Sequence, residues 1–480
     1  MLAKGIFINN NWEHSHAGAV LDVIAPADGK SFGTIAAGDA FDVAKAVGAA
    51  RAAYETGSWG CMPAYERGRL LLKLSQSILD NVEDLTALEA RDTGKPLRQA
   101  RADIEVCARY FEFYGGAADK FNGDTIPFLK GFFAATERGP HGVTGHIIPW
   151  NYPAQMFART MAPSLAMGNA TVIKPAEDAC QTPLALVELA AAAGFPAGAV
   201  NLVSGLGTTA GAALISHPGI DFLSFTGSPQ VGQLVQIEAA KNHITCTLEL
   251  GGKSPQIVFA DVDLDAALPT LVAAIVQNAG QTCSAGSRLL VQKSAYDKIV
   301  GAVADRFSSL RAGTPEMNLD LGPLVSAKQL ARVRDFCDAA AAQSVPLIAR
   351  GEIAKDVPAD GFFFTPKLYG PVPHANRLAQ DEIFGPVLSV LPFEDEAEAL
   401  TLANGTDFGL VAGVWTSDAK RSMRVARAVR AGQVFVNAYG AGGGVELPFG
   451  GRRKSGHGRE KGFAALYDFS VEKTIVVKHD

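Results

Sequence analysis

The sequence predicts an α/β fold with two parallel-sheet units that divide near Leu250-Gly251. Three observations carry this. From about Gly142, short apolar strands alternate with helical segments, the pattern of a parallel sheet with crossover helices. A similar alternation begins again after Gly251. And 480 residues are too many for one small core, so two or three units are expected.

Residues 39–118 read as mainly helical. FDVAKAVGAARAAYETG and YERGRLLLKLSQSILDNVEDLTALEARDTG carry apolar residues at helical spacing, and Thr93-Gly94-Lys95-Pro96 is a helix stop. Residues 122–139 read as a hairpin turning near Gly131. GVTGHIIPW, ATVIKPA, GAVNLVSG and GIDFLSFTGS are the strands of the first unit. MFARTMAPSLAMG, TPLALVELAAAAG and GTTAGAALISH are the helices between them. In the second unit SPQIVFA, SRLLVQ, LSVLPFE, VAGVWTS and VFVNAYG are the strand candidates. The tail, EKTIVVKHD, reads as an isolated strand, and such a strand often pairs with another subunit.

Hydrophobic residues make up 48% and charged residues 19%, ordinary for a soluble globular enzyme. A net charge of −6 without a basic block argues against a nucleic-acid partner. Arg452-Arg453-Lys454 is short and reads as loop chemistry. The first residues lack an apolar stretch and a cleavage site, and no window approaches a membrane span. The six cysteines form no CxxC pair, so neither a metal site nor a disulfide framework is expected. Reduced thiols in a cytoplasm follow.

Several segments carry chemistry. In Gly280-Gln281-Thr282-Cys283-Ser284-Ala285, a cysteine follows a helix in a loop of small residues, an environment that favours the nucleophilic thiolate. The plainer reading is a small buried apolar residue. Glu249, in Leu248-Glu249-Leu250-Gly251-Gly252, sits at a strand end where partial burial raises a carboxyl toward a general base. It could equally be a charge escaping at a strand end. Asn151, in Pro149-Trp150-Asn151-Tyr152-Pro153, is either an oxyanion donor or a helix N-cap.

Phe225-Thr226-Gly227-Ser228 puts a glycine and a hydroxyl at a helix N-terminus, a favourable place for a pyrophosphate. Gly205-Leu206-Gly207 opens another helix, but its spacing to Gly211 misses the dinucleotide fingerprint. Lys174-Pro175-Ala176-Glu177 ends a strand, where a carboxylate can accept from ribose hydroxyls and repel a 2′-phosphate, so NAD is favoured over NADP. Glu382-Ile383-Phe384-Gly385 and Leu447-Pro448-Phe449-Gly450-Gly451 complete the set; a plain turn cluster is the alternative for the second.

Together PWNYP, KPAE, FTGS, ELGGKSP, GQTCSA, EIFGPV and PFGG…SGHGRE resemble the aldehyde dehydrogenase superfamily, in that family's order along nearly the whole chain. The resemblance implies two Rossmann-like parallel-sheet domains plus a small oligomerisation sheet. By it, 1–118 and 139–250 bind NAD, 251–450 are catalytic, and 119–138 with 465–480 build a homodimer or homotetramer. It implies that Cys283 attacks the aldehyde, Asn151 and the Cys283 amide hold the oxyanion, and Glu249 activates the water that hydrolyses the thioester. Glu249 speaks for a free acid as product, since members that pass the acyl group to coenzyme A typically lack it. Ile147, Pro149, Trp150, Lys174, Glu177, Gly207, Gly227, Ser228, Val231, Gly251, Glu382 and Phe384 would line the cofactor path.

Glu460 matches a glutamate proposed to relay protons in some members, but the lysine that often accompanies it is replaced by Thr160. Arg159, with Met156 and Tyr152, lies on the helix that would line the substrate funnel. A guanidinium there could clamp the carboxylate of a semialdehyde. The second arginine of such a clamp is missing, its place taken by Gln277, and Arg159 could instead pair with a neighbouring carboxylate. A neutral aliphatic or aromatic aldehyde is the alternative substrate. A non-catalytic relative and a cofactor-free thiol esterase are the alternative functions.

Overall fold

The computed structural model describes residues 4–440 and 444–480. The stretches 1–3 and 441–443, which fall in the expected cofactor and catalytic segments, lie outside the described residues.

Two large sheets form the molecule. The first has eight strands. Its parallel centre runs in space Val200–Val203, Ala170–Pro175, Val143–Ile148, Phe222–Thr226, Thr245–Glu249. In chain order that is three-two-one-four-five, the doubly wound arrangement with its switch point between the first and fourth strands. Ile6–Ile8 and Asn11–Glu13 extend one edge antiparallel. On the other edge Gly456–His457 returns from far along the chain to pair with Leu248 and Glu249.

The second sheet has seven strands, in the order Leu347–Arg350, Lys367–Tyr369, Val387–Phe393, Arg288–Gln292, Pro255–Val258, Val411–Trp415, Gln433–Val436. All neighbours are parallel except the first pair. Its central strands are apolar and fully covered, as parallel strands between helix layers must be.

The helices follow local rules. Ala40–Glu55 begins on a capping box made by Asp39 and Asp42. The apolar run after Pro63 forms two helices, Ala64–Asp80 and Val82–Thr93, because the chain breaks at Asn81. Gly94 ends the second one at φ +79°, where a Cβ would press on Pro323. Helix Pro153–Met167 starts on a proline at its first position and is buried along nearly its whole length.

Two expectations change at the small sheet. Residues 122–139 form only a short hairpin, the antiparallel Thr125–Ala135 bridge flanked by the Ile126 amide donating to Ala134 O (2.9 Å) and the Thr136 amide donating to Asp124 O (2.8 Å). Phe132–Pro140 pairs, over its full length, with Ser470–Lys478. The tail strand therefore has a partner within its own chain. Nine consecutive backbone pairs and the Arg138–Glu472 ion pair outweigh what a short local hairpin could offer. Phe133, Val471, Ile475, Val476 and Val477 remain exposed on this ribbon. Among the described residues no helix is long and apolar enough to cross a membrane.

Candidate active site

The carboxyl ends of the first sheet's parallel strands point into one crevice at the switch point, where ligands of such sheets bind. Ile147 and Ile148 close the first strand, which leads into Pro149, Trp150 and Asn151. Lys174, next to last in the second strand, is buried, with its ammonium donating to Pro175 O (2.9 Å) and Glu177 Oε2 (3.0 Å). Glu177 also accepts from the Gly207 amide at 3.4 Å. Against burial, Lys174 and these donors hold the Glu177 carboxyl below its usual value. Gly227 and Ser228 follow the fourth strand. Ser228 caps helix Pro229–Lys241 through the Val231 amide, leaving an exposed helix N-terminus.

Across the crevice, Glu382 Oε1 accepts from the Gly252 amide at 2.9 Å. A Cβ at Gly251 would collide with this carboxylate, so only glycine lets it approach. Burial pushes Glu382 up to about 7, against the pull of the Gly252 amide, Arg332 and Lys253. Phe384, at φ +62°, meets the Trp150 ring edge-on at 5.3 Å.

The cysteine loop follows helix Leu264–Val276 through Asn278, Ala279 and Gly280, all at positive φ. Such a backbone persists only where its surroundings hold it. Asn278 Nδ2 donates to Asn151 O (2.8 Å) and to Gln281 O (3.1 Å). Asn151 Nδ2 donates to the same Gln281 O at 2.9 Å. Asn151 is not the N-cap of the next helix; Tyr152 holds that position, without a capping side chain. One amide hydrogen of Asn151 is engaged by Gln281 and the other remains. Tyr152 Oη meets Thr282 Oγ1 at 2.7 Å, and Tyr439 Oη donates to Ser284 O at 2.7 Å. Both flanks of Cys283 are thereby pinned.

Cys283 lines a cavity of about 180 Å³ with Tyr152, Met156, Arg159, Phe435, Tyr439 and Phe449. Glu249 is the last residue of its strand, 2% exposed. Burial and the neighbouring Glu460 push its carboxyl well up; Arg159 pulls it down. Among the described residues no cluster of three or more metal-ligating side chains occurs.

Comparison with known proteins gives the family. A sequence model of the Aldehyde dehydrogenase family matches residues 12–475. The chain belongs to the aldehyde dehydrogenase family. It is an oxidoreductase of the aldehyde group. Human retinal dehydrogenase 2 is 42% identical, with 98% of this chain and 91% of that protein covered. A crystal structure of a Burkholderia cenocepacia protein is 57% identical, superimposes with a TM-score of 0.98, and both chains are covered in full. The NAD+ complex of a Bacillus cereus aldehyde dehydrogenase is 37% identical at a TM-score of 0.97, with 100% of this chain and 97% of that one covered.

In this aldehyde dehydrogenase the cysteine loop does not by itself favour a thiolate. Burial pushes the Cys283 thiol up to about 11, helped by Glu249 and Glu382, and the nearby Arg159 only partly offsets this. The residue type and loop were legible; the low-dielectric surroundings were not. Alkylation of Cys283 by iodoacetamide, followed by peptide mass spectrometry, is therefore expected to speed up about tenfold per pH unit between pH 7 and 10. A rate already flat above pH 7 would contradict the raised thiol.

Arg159 is buried and committed. Its guanidinium makes ion pairs with Glu460 through Nε and with Glu249 through Nη2 at 3.5 Å. It also lies 4.4 Å from the Phe449 ring centre. Thr160, the replacement for that lysine, hydrogen-bonds His146 (2.6 Å) and Ser224 (2.8 Å). Arg453 and Lys454 both bind Asp407, which accounts for part of the basic loop; nothing in the structure explains Arg452.

Sequence reasoning missed two cavity residues, Tyr439 and Lys461, and one loop support, Asn278. Tyr439 supports the loop from the second sheet's edge, and no local pattern marks it. Asn278 could have been noticed, since asparagine is a preferred residue at positive φ. Lys461 lines the cavity beside Glu460, its ammonium 5.0 Å from the Phe449 ring centre. Burial and Arg159 push its ammonium down to about 7.

Proposed function

We propose that this chain oxidises an aldehyde to the carboxylic acid with NAD through a thioester on Cys283 that water resolves. The observation that carries this is the shared anchor of nucleophile and oxyanion donor: Asn151 is tied to the carbonyl two residues before Cys283. The Cys283 thiolate bonds to the carbonyl carbon. The developing oxyanion is met by the free amide hydrogen of Asn151 and the Cys283 backbone N–H. A bound nicotinamide would supply the hydride acceptor. The acyl group is left on Cys283 as a thioester. Glu249 takes a proton from water, the hydroxide attacks the thioester, and Cys283 departs as thiolate.

Ile147, Pro149, Trp150, Gly227 and Val231 would line the path for the dinucleotide, and the Ser228 helix end would take its pyrophosphate. Lys174, Glu177 and Gly207 would hold the adenosine ribose, and Glu382 with Phe384 the nicotinamide end. In this reading 1–118 and 139–250 bind the cofactor and 251–450 carry the chemistry. The segments 119–138 and 465–480 assemble a cytoplasmic homodimer or homotetramer, which the exposed apolar ribbon supports.

Arg159, already neutralised by two carboxylates, favours a neutral aldehyde over a semialdehyde whose carboxylate it would clamp. The test is an aldehyde panel with NAD and with NADP, followed by NADH absorbance. Butanal is expected to exceed succinic semialdehyde in kcat/KM, and NAD to exceed NADP. Glu177→Ser is expected to narrow the cofactor preference by about tenfold or more, by removing charge beside the ribose. Failure of every aldehyde with NAD demonstrably bound would overturn the reading.

A further inference from the structure

We propose that Arg159 is a positioning residue for hydrolysis, its guanidinium bridging Glu249 and Glu460 and fixing the base in a buried site. The inference rests on the reading of Glu249 as the base.

The geometry is that of a carboxylate–guanidinium–carboxylate bridge. Arg159 comes from the second turn of helix Pro153–Met167, Glu249 from the end of the strand Thr245–Glu249, and Glu460 from the segment just after the strand Gly456–His457. All three are at most 3% exposed. Phe449 lies under the guanidinium and Met156 Sδ sits 3.8 Å from Nη1, so the arginine has little freedom to swing away.

Two like charges in such a place cannot both persist without a cation between them. The groups facing Glu249 are Glu460, Arg459 and Lys461 on the returning segment, Arg159 on the helix and Cys283 on the loop. Among them Arg159 is the cation seen within ion-pair distance of both carboxylates. Burial raises both carboxyls, and Arg159 is the strongest influence pulling Glu460 down and the first to pull Glu249 down. In return both carboxylates keep the guanidinium charged despite its burial.

A base must be ionised to take a proton from water. With Arg159 removed, one of the two carboxyls takes up a proton, and the shared proton blocks the base at neutral pH. The consequence is specific to hydrolysis, because the first hydride transfer does not need Glu249.

The experiment compares wild type with Arg159→Met, Arg159→Lys and the double variant Arg159→Met/Glu460→Gln. Stopped-flow NADH formation reads the first turnover. Acid-quenched intact mass reads the acyl-enzyme. Steady-state kcat is followed from pH 5.5 to 9.5. Arg159→Met is expected to keep the first NADH turnover, to accumulate acyl-enzyme, and to move the rising limb of kcat up by about one pH unit or more, a loss of about tenfold at pH 7. Arg159→Lys is expected to recover part of this. The double variant is expected to move the limb back down, because the competing carboxylate is gone.

An unshifted limb in Arg159→Met, or no return in the double variant, would overturn the proposal. If Arg159→Met is unstable, Arg159→Lys and Glu460→Gln carry the same comparison through the direction of their limbs. A packing role alone would slow both phases together without moving the limb. If instead Glu249→Gln hydrolyses its thioester at the wild-type rate, the assignment of the base fails, whatever Arg159 does.

Discussion

Replacing Cys283 by serine is expected to lower NADH formation by about four orders of magnitude or more at pH 7.5, while NAD binding is unchanged. Even with its thiol pushed up to about 11, Cys283 retains a small thiolate fraction at neutral pH, and sulfur is intrinsically nucleophilic. A serine hydroxyl in the same partly buried place has far less access to its anion. No other side chain takes over, because the cysteines Cys107, Cys180, Cys246 and Cys337 are buried and Cys61 is not among the residues lining this cavity. Absorbance at 340 nm measures turnover, and quenching of tryptophan fluorescence by NAD measures binding. Activity above about a hundredth of wild type would remove Cys283 from the chemistry.

The second large effect separates the two halves of the reaction. Glu249→Gln is expected to release one NADH per active site in the first turnover and then slow by about two to three orders of magnitude. The thioester should be visible as added mass on the peptide that carries Cys283. The amide is nearly isosteric, so the loss reports the base and little else. In wild type the sign with pH is fixed by the upward shift of Glu249. A base with a raised pKa is ionised only above it, so kcat falls as pH falls through that value. The glutamine variant should lack that limb. An equal loss in the burst and in steady state would place Glu249 in the first half-reaction instead.

The central strands of both sheets were legible because each is a short apolar run and the pattern is local, whereas the strands Ile6–Ile8, Asn11–Glu13, Leu347–Arg350, Lys367–Tyr369 and Gly456–His457 were too short to stand out. The glycine stop at Gly94 was legible for the same reason. Pairing at long range was not. The tail reads as a strand with no partner, yet its partner lies 334 residues back at the Arg138–Glu472 contact, and register of that kind leaves no mark in either segment alone. The helical run after Pro63 hid its break, because Asn81 interrupts the hydrogen bonding without disturbing the apolar spacing.

At the candidate site the residue types could be named segment by segment, but their couplings could not. Asn151 and Gln281 stand 130 residues apart, and only the fold joins them. The state of the Cys283 thiol depends on burial, which a loop of small residues disguises. The engagement of Arg159 depends on Glu460, which arrives on the last element of the first sheet.

That late arrival bears on how the protein comes off the ribosome. The first sheet can pack most of its strands once residue 249 has emerged, but the edge beside Leu248 and Glu249 stays open until Gly456 and His457 are synthesised. An unpaired edge of this kind is a template for unwanted association, and nascent domains are exposed to it while translation continues. The strand that closes the sheet also brings Glu460 to Arg159. A nascent chain stalled short of that point would hold a nearly complete nucleotide-type domain with a sticky border and an unfinished base, prone to capture by chaperones before it could turn over any aldehyde.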